Sequence, residues 1–180
     1  MDYNTIKNWS FPVIDRTHTK KDSILYALGI GFGQEPTNPD HLKYVYEQHM
    51  QAFPTMAVVL GYPGFWMKDP KAGVNWVKLV HGEQRLTIHR PLPPEGRIVG
   101  RSHISHVIDK GADKGALVIT ERTLHDGDGH HIATIAQTTF CRGDGGLAQS
   151  DASPEQLVAT PERAPDLTCA LPTLPQAALI

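Results

Sequence analysis

No stretch of the 180-residue chain approaches the roughly 18 consecutive apolar residues that a membrane-spanning helix needs, so no membrane partner is expected. Nor does charge of either sign dominate. A formal net charge of −2 supplies no basic field, and nucleic acid is not expected as a partner. There are only two cysteines, Cys141 and Cys169. That excludes a disulfide framework and points to reduced, structural thiols. With no cysteine pairs to support the ten histidines, no metal site is expected either. The start, Met1-Asp2-Tyr3-Asn4, has no basic region followed by an apolar one, so a cytoplasmic location is expected.

The composition is otherwise that of a globular domain, 40% hydrophobic and 20% charged, long enough to bury one core. Thr19-Lys20-Lys21-Asp22 ahead of Ile24, Leu25 and Leu28 predicts a capped helix, which Gly29, Gly31 and Gly33 terminate. Leu42 to Glu47 reads as a short strand or a helical turn. Phe53 to Leu60 is a short apolar run whose length leaves strand and buried helix open. Pro63 to Gly73 reads as loop, and Asn75 to Val80 as a helical turn.

From His81 the period changes to two. Strands are predicted from there to His89, from Ile98 to Asp109, from Ala116 to Asp126 and from His130 to Cys141. In the second of these, Ile104 and Ile108 are placed on one face, and Ser105 and Val107 on the other. Asp126-Gly127-Asp128-Gly129 is a hairpin turn. No helix-length segment separates these strands, which excludes a parallel sheet and predicts an antiparallel meander. The fold class expected is α+β. After Arg142 the chain becomes rich in Gly, Ala and Pro. Residues 1–142 are therefore assigned to the folded domain and 143–175 to a linker, with 176–180 expected to open the first helix of a second domain.

Several motifs are weaker than they look. Gly29-Ile30-Gly31-Phe32-Gly33 lacks the third glycine of a nucleotide loop and follows a helix, so helix termination explains it. Asp126 to His131 lacks the terminal Glu of a calcium loop. His103 and His106 stand three apart on a strand and are read as pointing to opposite faces. Two segments hold more promise. His81-Gly82-Glu83-Gln84 gathers an imidazole and a carboxylate, the types that serve as an acid/base pair, although a polar junction is the plainer reading. Lys110 and Lys114 share one turn, where charge-assisted bonds to a phosphate are available if the turn is not simply solvated.

In chain order, Asp22 with Ile24 to Gly31, Leu42 to Glu47, Phe53-Pro54-Thr55-Met56, Val80 to Gln84, Arg90-Pro91-Leu92-Pro93, Val107 to Gly111 and Gln176 to Leu179 resemble the N-terminal domain of MaoC-like two-domain (R)-specific 2-enoyl-CoA hydratases. The resemblance implies a hot-dog fold, an antiparallel sheet with short helices, as one half of a double hot dog with a reduced central helix. It also implies that no catalytic residue lies in this chain. The pair that activates water belongs to the second unit, in a Gly-Asp-x-Asn-Pro-x-His segment expected just beyond Ile180. By the same resemblance, Phe53, Met56, Trp76, His81, Gly82, Lys110 and Lys114 would contact the acyl-CoA, with Glu47, Glu83 and Gln84 in support. No cofactor is implied beyond the CoA thioester substrate. The implied partner is the catalytic hot-dog domain, in cis or trans, in a homo- or hetero-oligomer. A non-catalytic acyl-CoA-binding or assembly module is the alternative; a thioesterase-like use of Glu47 or Glu83 is a third.

Overall fold

The computed structural model describes residues 1–153 and 159–170. A short helix, α1 (Tyr3–Lys7), leads into an edge strand, β1 (Ile14–His18), and then α2 (Lys20–Gly29). The predicted start of α2 is built as a full capping box. Thr19 and Asp22 each accept from the other's backbone, which satisfies two of the helix's orphan donors. The 42–47 segment resolves as helical as far as Val45, with Tyr46 extended. In α3 (Pro39–Val45), Asn38 caps the Asp40 N–H at 2.9 Å and Pro39 occupies the first turn. The Phe53 to Leu60 run is a short 3₁₀ helix, Pro54–Val58, and further 3₁₀ turns follow at Trp66–Lys68, Pro70–Ala72 and Trp76–Lys78. Then come β2 (Leu79–Ile88), β3 (Gly96–Asp109), β4 (Ala116–Asp126) and β5 (His131–Cys141). No helix among the described residues is long and apolar enough to cross a membrane.

Among the described residues the five strands are all antiparallel, in the order β1-β3-β4-β5-β2. Two parts of the expected meander are corrected here. Sequence reading missed β1, a five-residue strand without clear alternation that pairs with β3 from Ile14 opposite Gly100 to His18 opposite Gly96. And β2 does not neighbour β3. The connection between them carries Pro91, Pro93 and Pro94, which lack an N–H and cannot zip a hairpin. The chain instead runs back across the domain, burying Leu92, and β2 pairs with β5 at the opposite edge.

The ladders carry three one-residue register slips: one in β4/β5, between Leu124 and His125, and two that decide which way the candidate site residues face. The β3/β4 register slips between Ile104 and His106, leaving Ser105 as the extra residue. Ile104 therefore shares its face with Val107 and not with Ile108, and both join one buried cluster. The same slip puts His103, opposite Glu121, and His106, opposite Ile119, on one face, where simple alternation had them on two. The second bulge, between His81 and Glu83, centres on Gly82 in β2.

One face of the sheet is covered, and its packing divides in two. Met56, Ala57, Leu92, Ile98, Leu124 and Ile135 form a cluster under the Pro54–Val58 turn. Ile6, Met67, Ala72, Ile104, Val107, Val118 and Cys141 form a second, under α1 and the loop around Trp66. Trp9 packs tilted and Phe11 edge-on against Trp66, at 5.0 and 5.3 Å between centroids, extending that second cover. The body also takes in residues 143–151, which the sequence reading places in the linker. Buried Asp144 accepts from the Asn75 N–H, while Asp151 accepts from Lys7 Nζ at 2.6 Å, Tyr3 at 2.6 Å and the Val107 N–H at 2.8 Å. The proposed second-domain start at 176–180 lies outside the described residues.

Candidate functional site

Between the two clusters the covered face is polar. Along β4 the inward positions read Val118, Thr120, Arg122, Leu124; along β5 they read Cys141, Thr139, Gln137, Ile135. Thr120 lies opposite Gln137, and Arg122 opposite Ile135. The short Pro54–Val58 turn stops before this middle zone, and the segment Tyr62–Met67 passes over it instead. What remains is a cavity of about 240 Å³. Its roof is Tyr62, Pro63, Phe65, Trp66 and Met67; its floor is Thr120, Arg122, Ile135, Gln137 and Thr139; Leu79, Val80 and His81 line the β2 side.

Arg122 dominates the floor electrostatically. Its side chain is 6% exposed, donates through Nη2 to the Val58 carbonyl and stands 5.6 Å from the centre of the Tyr62 ring. Burial lowers its pKa, because a low-dielectric site disfavours the charged form. Among the described residues, no aspartate or glutamate lines the cavity.

The anticipated site residues scatter. His81 pairs across from Thr139 and reaches the cavity. Glu83, beyond the bulge, pairs across from Thr138 on the other face, where it accepts from Arg85 Nε at 2.8 Å. That bond holds its carboxyl below the usual range. The two therefore do not form an acid/base pair, because the extra residue Gly82 turns them apart. Gly82 itself lies tight against β5, since a Cβ there would come 3.2 Å from the Thr138 carbonyl. Gln84 faces inward and donates to the Ala136 carbonyl at 3.3 Å. Met56 is buried in the first cluster, with Ser23 Oγ 3.4 Å from its sulfur. Phe53 joins an aromatic group, 4.7 Å from Phe32 and 5.1 Å from Tyr44. Trp76 sits outside, edge-on to Phe65 and under the Lys68 ammonium. Lys110 and Lys114 are exposed on the β3–β4 turn, beyond the second cluster, and Glu47 is exposed just past α3.

Sequence reading missed Thr120, Arg122, Gln137 and Thr139. The available signal was polar residues at positions where the alternation of β4 and β5 calls for apolar ones. The acidic turn also has a structural role. Asp126, Asp128 and His130 bring ligand atoms within 4.8 Å of one another, but Asp126 already accepts from the Asp128 and His130 N–H groups, closing the hairpin.

A family model described as the MFE-2 hydratase 2 N-terminal domain matches residues 17–143. The enoyl-CoA hydratase ChsH3 of Mycobacterium tuberculosis is 32% identical over all of this chain and 63% of its own length. Among solved structures, a MaoC-like dehydratase from Phytophthora capsici is 30% identical with a TM-score of 0.72, covering 93% of this chain and 58% of that one. The full-length peroxisomal multifunctional enzyme type 2 of Drosophila melanogaster is also 30% identical, with a TM-score of 0.64 over 86% of this chain and 27% of that one. The chain thus spans about three fifths of the length of the curated hydratase it matches in full. A five-stranded antiparallel sheet with a few short helices, matched to these structures, is the hot-dog fold. By the family match and these identities, the chain belongs to the MFE-2 hydratase 2 N-terminal domain family.

Proposed function

We propose that this chain is the acyl-accommodating, N-terminal half of an (R)-specific 2-enoyl-CoA hydratase, which is also a 3-hydroxyacyl-CoA dehydratase in the reverse direction. The observation that carries the reading is the cavity itself, roofed by aromatic side chains and lined by no carboxylate among the described residues. In the proposed reaction, water adds across the 2,3 double bond of an enoyl thioester. An Asp and a His on a second hot-dog unit move the protons, an effect of about 10²–10⁴-fold in rate, and N–H donors polarise the thioester carbonyl as enolate character develops. This half positions the acyl chain, and no cofactor beyond the CoA thioester is required. Phe53, Met56 and Trp76 remain proposed acyl contacts, with Lys110 and Lys114 toward the CoA phosphates.

The second unit would dock along β2. That strand ends the sheet, so one side of its backbone has no strand partner among the described residues. Phe65, Trp76, Val77 and Val80 beside it are exposed, Val77 at 75%. Apolar surface next to an open edge is what an assembling half presents. The test is co-purification of the chain with a unit carrying Gly-Asp-x-Asn-Pro-x-His, followed by crotonyl-CoA hydration. The pair should turn over and the chain alone should not. Turnover by the lone chain, or a pair that binds acyl-CoA without hydrating it, would refute the half-enzyme reading. The cytoplasm is the proposed compartment, which cell fractionation tests.

A further inference from the structure

Arg122 is a buried cation that the proposed chemistry leaves unused. Among the described residues no acid pairs with it, and its Nε has no hydrogen-bond partner. Among those residues one of its nitrogens, Nη2, is accounted for, by the Val58 carbonyl. The strand positions around it repeat the pattern, since Thr120, Gln137 and Thr139 all face the same cavity with polar groups. An arginine so placed is costly unless something brings it an acceptor, since burial strips its water while the roof offers mainly rings and carbon. A plain hydrocarbon tail in this space would leave those donors stranded.

We infer that the cavity receives the far end of an acyl thioester whose tail carries a carboxylate, and that Arg122 binds that carboxylate and so selects the substrate. The inference rests on the proposed hydratase reading and narrows its substrate class. A carboxylate matches a guanidinium in both charge and planar geometry. Thr120, Gln137 and Thr139 offer further polar groups on the same floor, while Tyr62, Phe65 and Trp66 cover the methylenes that lead to it. The cavity's 240 Å³ is the liquid volume of about eight waters, room for a carboxylate and a short run of chain.

The test compares two enoyl-CoA thioesters of equal length, one ending in methyl and one in carboxylate. Both are titrated against the chain by calorimetry and assayed for hydration with the chain paired to its catalytic half. The wild type should favour the carboxylate end by about tenfold or more, because a site built to bond a polar group rejects the analogue without it. Arg122→Met should reverse the preference, and Arg122→Lys should keep part of it. If Arg122→Met does not fold, the wild-type ratio together with Arg122→Lys still decides. Equal or better use of the methyl-ended thioester by the wild type overturns the inference. So does an Arg122→Met variant whose ratio is unchanged, including one that merely loses its grip on the catalytic half, since Arg122 would then be pairing with an acid there. Arg122-dependent carboxylate binding without any hydration would sink the hydratase reading while leaving this one standing. Hydration without preference would do the opposite.

Discussion

Gly61 and Gly100 pack backbone against backbone: a Cβ on Gly100 would stand 2.6 Å from the Gly61 carbonyl oxygen, and one on Gly61 would stand 2.9 Å from the Gly100 Cα. This is where the chain leaving the Pro54–Val58 turn crosses β3 before roofing the cavity. Gly61 also has φ +59, a conformation that side-chain-bearing residues rarely take. Gly100→Ala should therefore lift the roof and destabilise the protein by about 1–3 kcal/mol, the usual cost of overpacking. Gly29→Ala, with nothing within 4 Å of the added methyl, should instead be neutral or stabilise by about 0.5 kcal/mol. Chemical denaturation midpoints check the claim: that of Gly100→Ala should fall, and that of Gly29→Ala should hold or rise.

Asp151 fastens the 143–151 segment to α1 and β3, and it sets an acid limit on that attachment. Partial burial alone would raise its pKa, but bonds from Lys7, Tyr3 and the Val107 N–H outweigh this and bring it to about 2. A carboxyl whose folded pKa lies below its unfolded 3.8 stabilises the fold above about pH 4, and that contribution is lost as pH falls toward 2. Asp151→Asn should cost about 1–2 kcal/mol at pH 7. Below about pH 2 the variant and the wild type should converge. Urea unfolding at both pH values checks it, and a constant difference would contradict the assignment.

The two thiols should react very differently. Cys141 is fully buried at the end of β5, where loss of solvent pushes its pKa up to about 12, while Cys169 is exposed. An alkylating reagent at pH 8 should modify Cys169 in the native protein and reach Cys141 only after denaturant is added. Mass spectrometry of the native and unfolded protein distinguishes them, and native labelling of Cys141 would mean that β5 opens.

If β2 is the docking edge, a charge placed on it should act on assembly and not on the fold. Val80 is 45% exposed, so Val80→Lys buries no charge in the isolated chain and should leave the unfolding midpoint within about 0.5 kcal/mol of the wild type. Sedimentation should show weakened self-association and loss of pairing with the catalytic half. Unchanged association would move the interface elsewhere, for instance to α2. There Leu25 and Leu28 are more than 45% exposed while only Ser23 and Ala27 are buried.

How much of this was legible depended on distance along the chain. Thr19 with Asp22, Asn38 with Pro39 and the Asp126 turn were readable because each is closed by hydrogen bonds spanning no more than four residues. The alternation of β4 and β5 announced a sheet, and the ordered segments pointed to the family. The Pro54–Val58 turn was left open because a short apolar run carries no period. The fate of His81 and Glu83 was hidden because one inserted residue, Gly82, reverses every face that follows it.

From the sequence alone follow the antiparallel class, the capped helix, the hairpin turns and the family membership, since local bonding and pattern suffice for these. Only the tertiary structure decided that β2 crosses to the far edge, that Ser105 brings Val107 beside Ile104, and that Arg122 lies under Tyr62 in a cavity. Each of those depends on which distant strand supplies the neighbour. Pairing over such separations is set by the packing of the whole core, which no local pattern encodes.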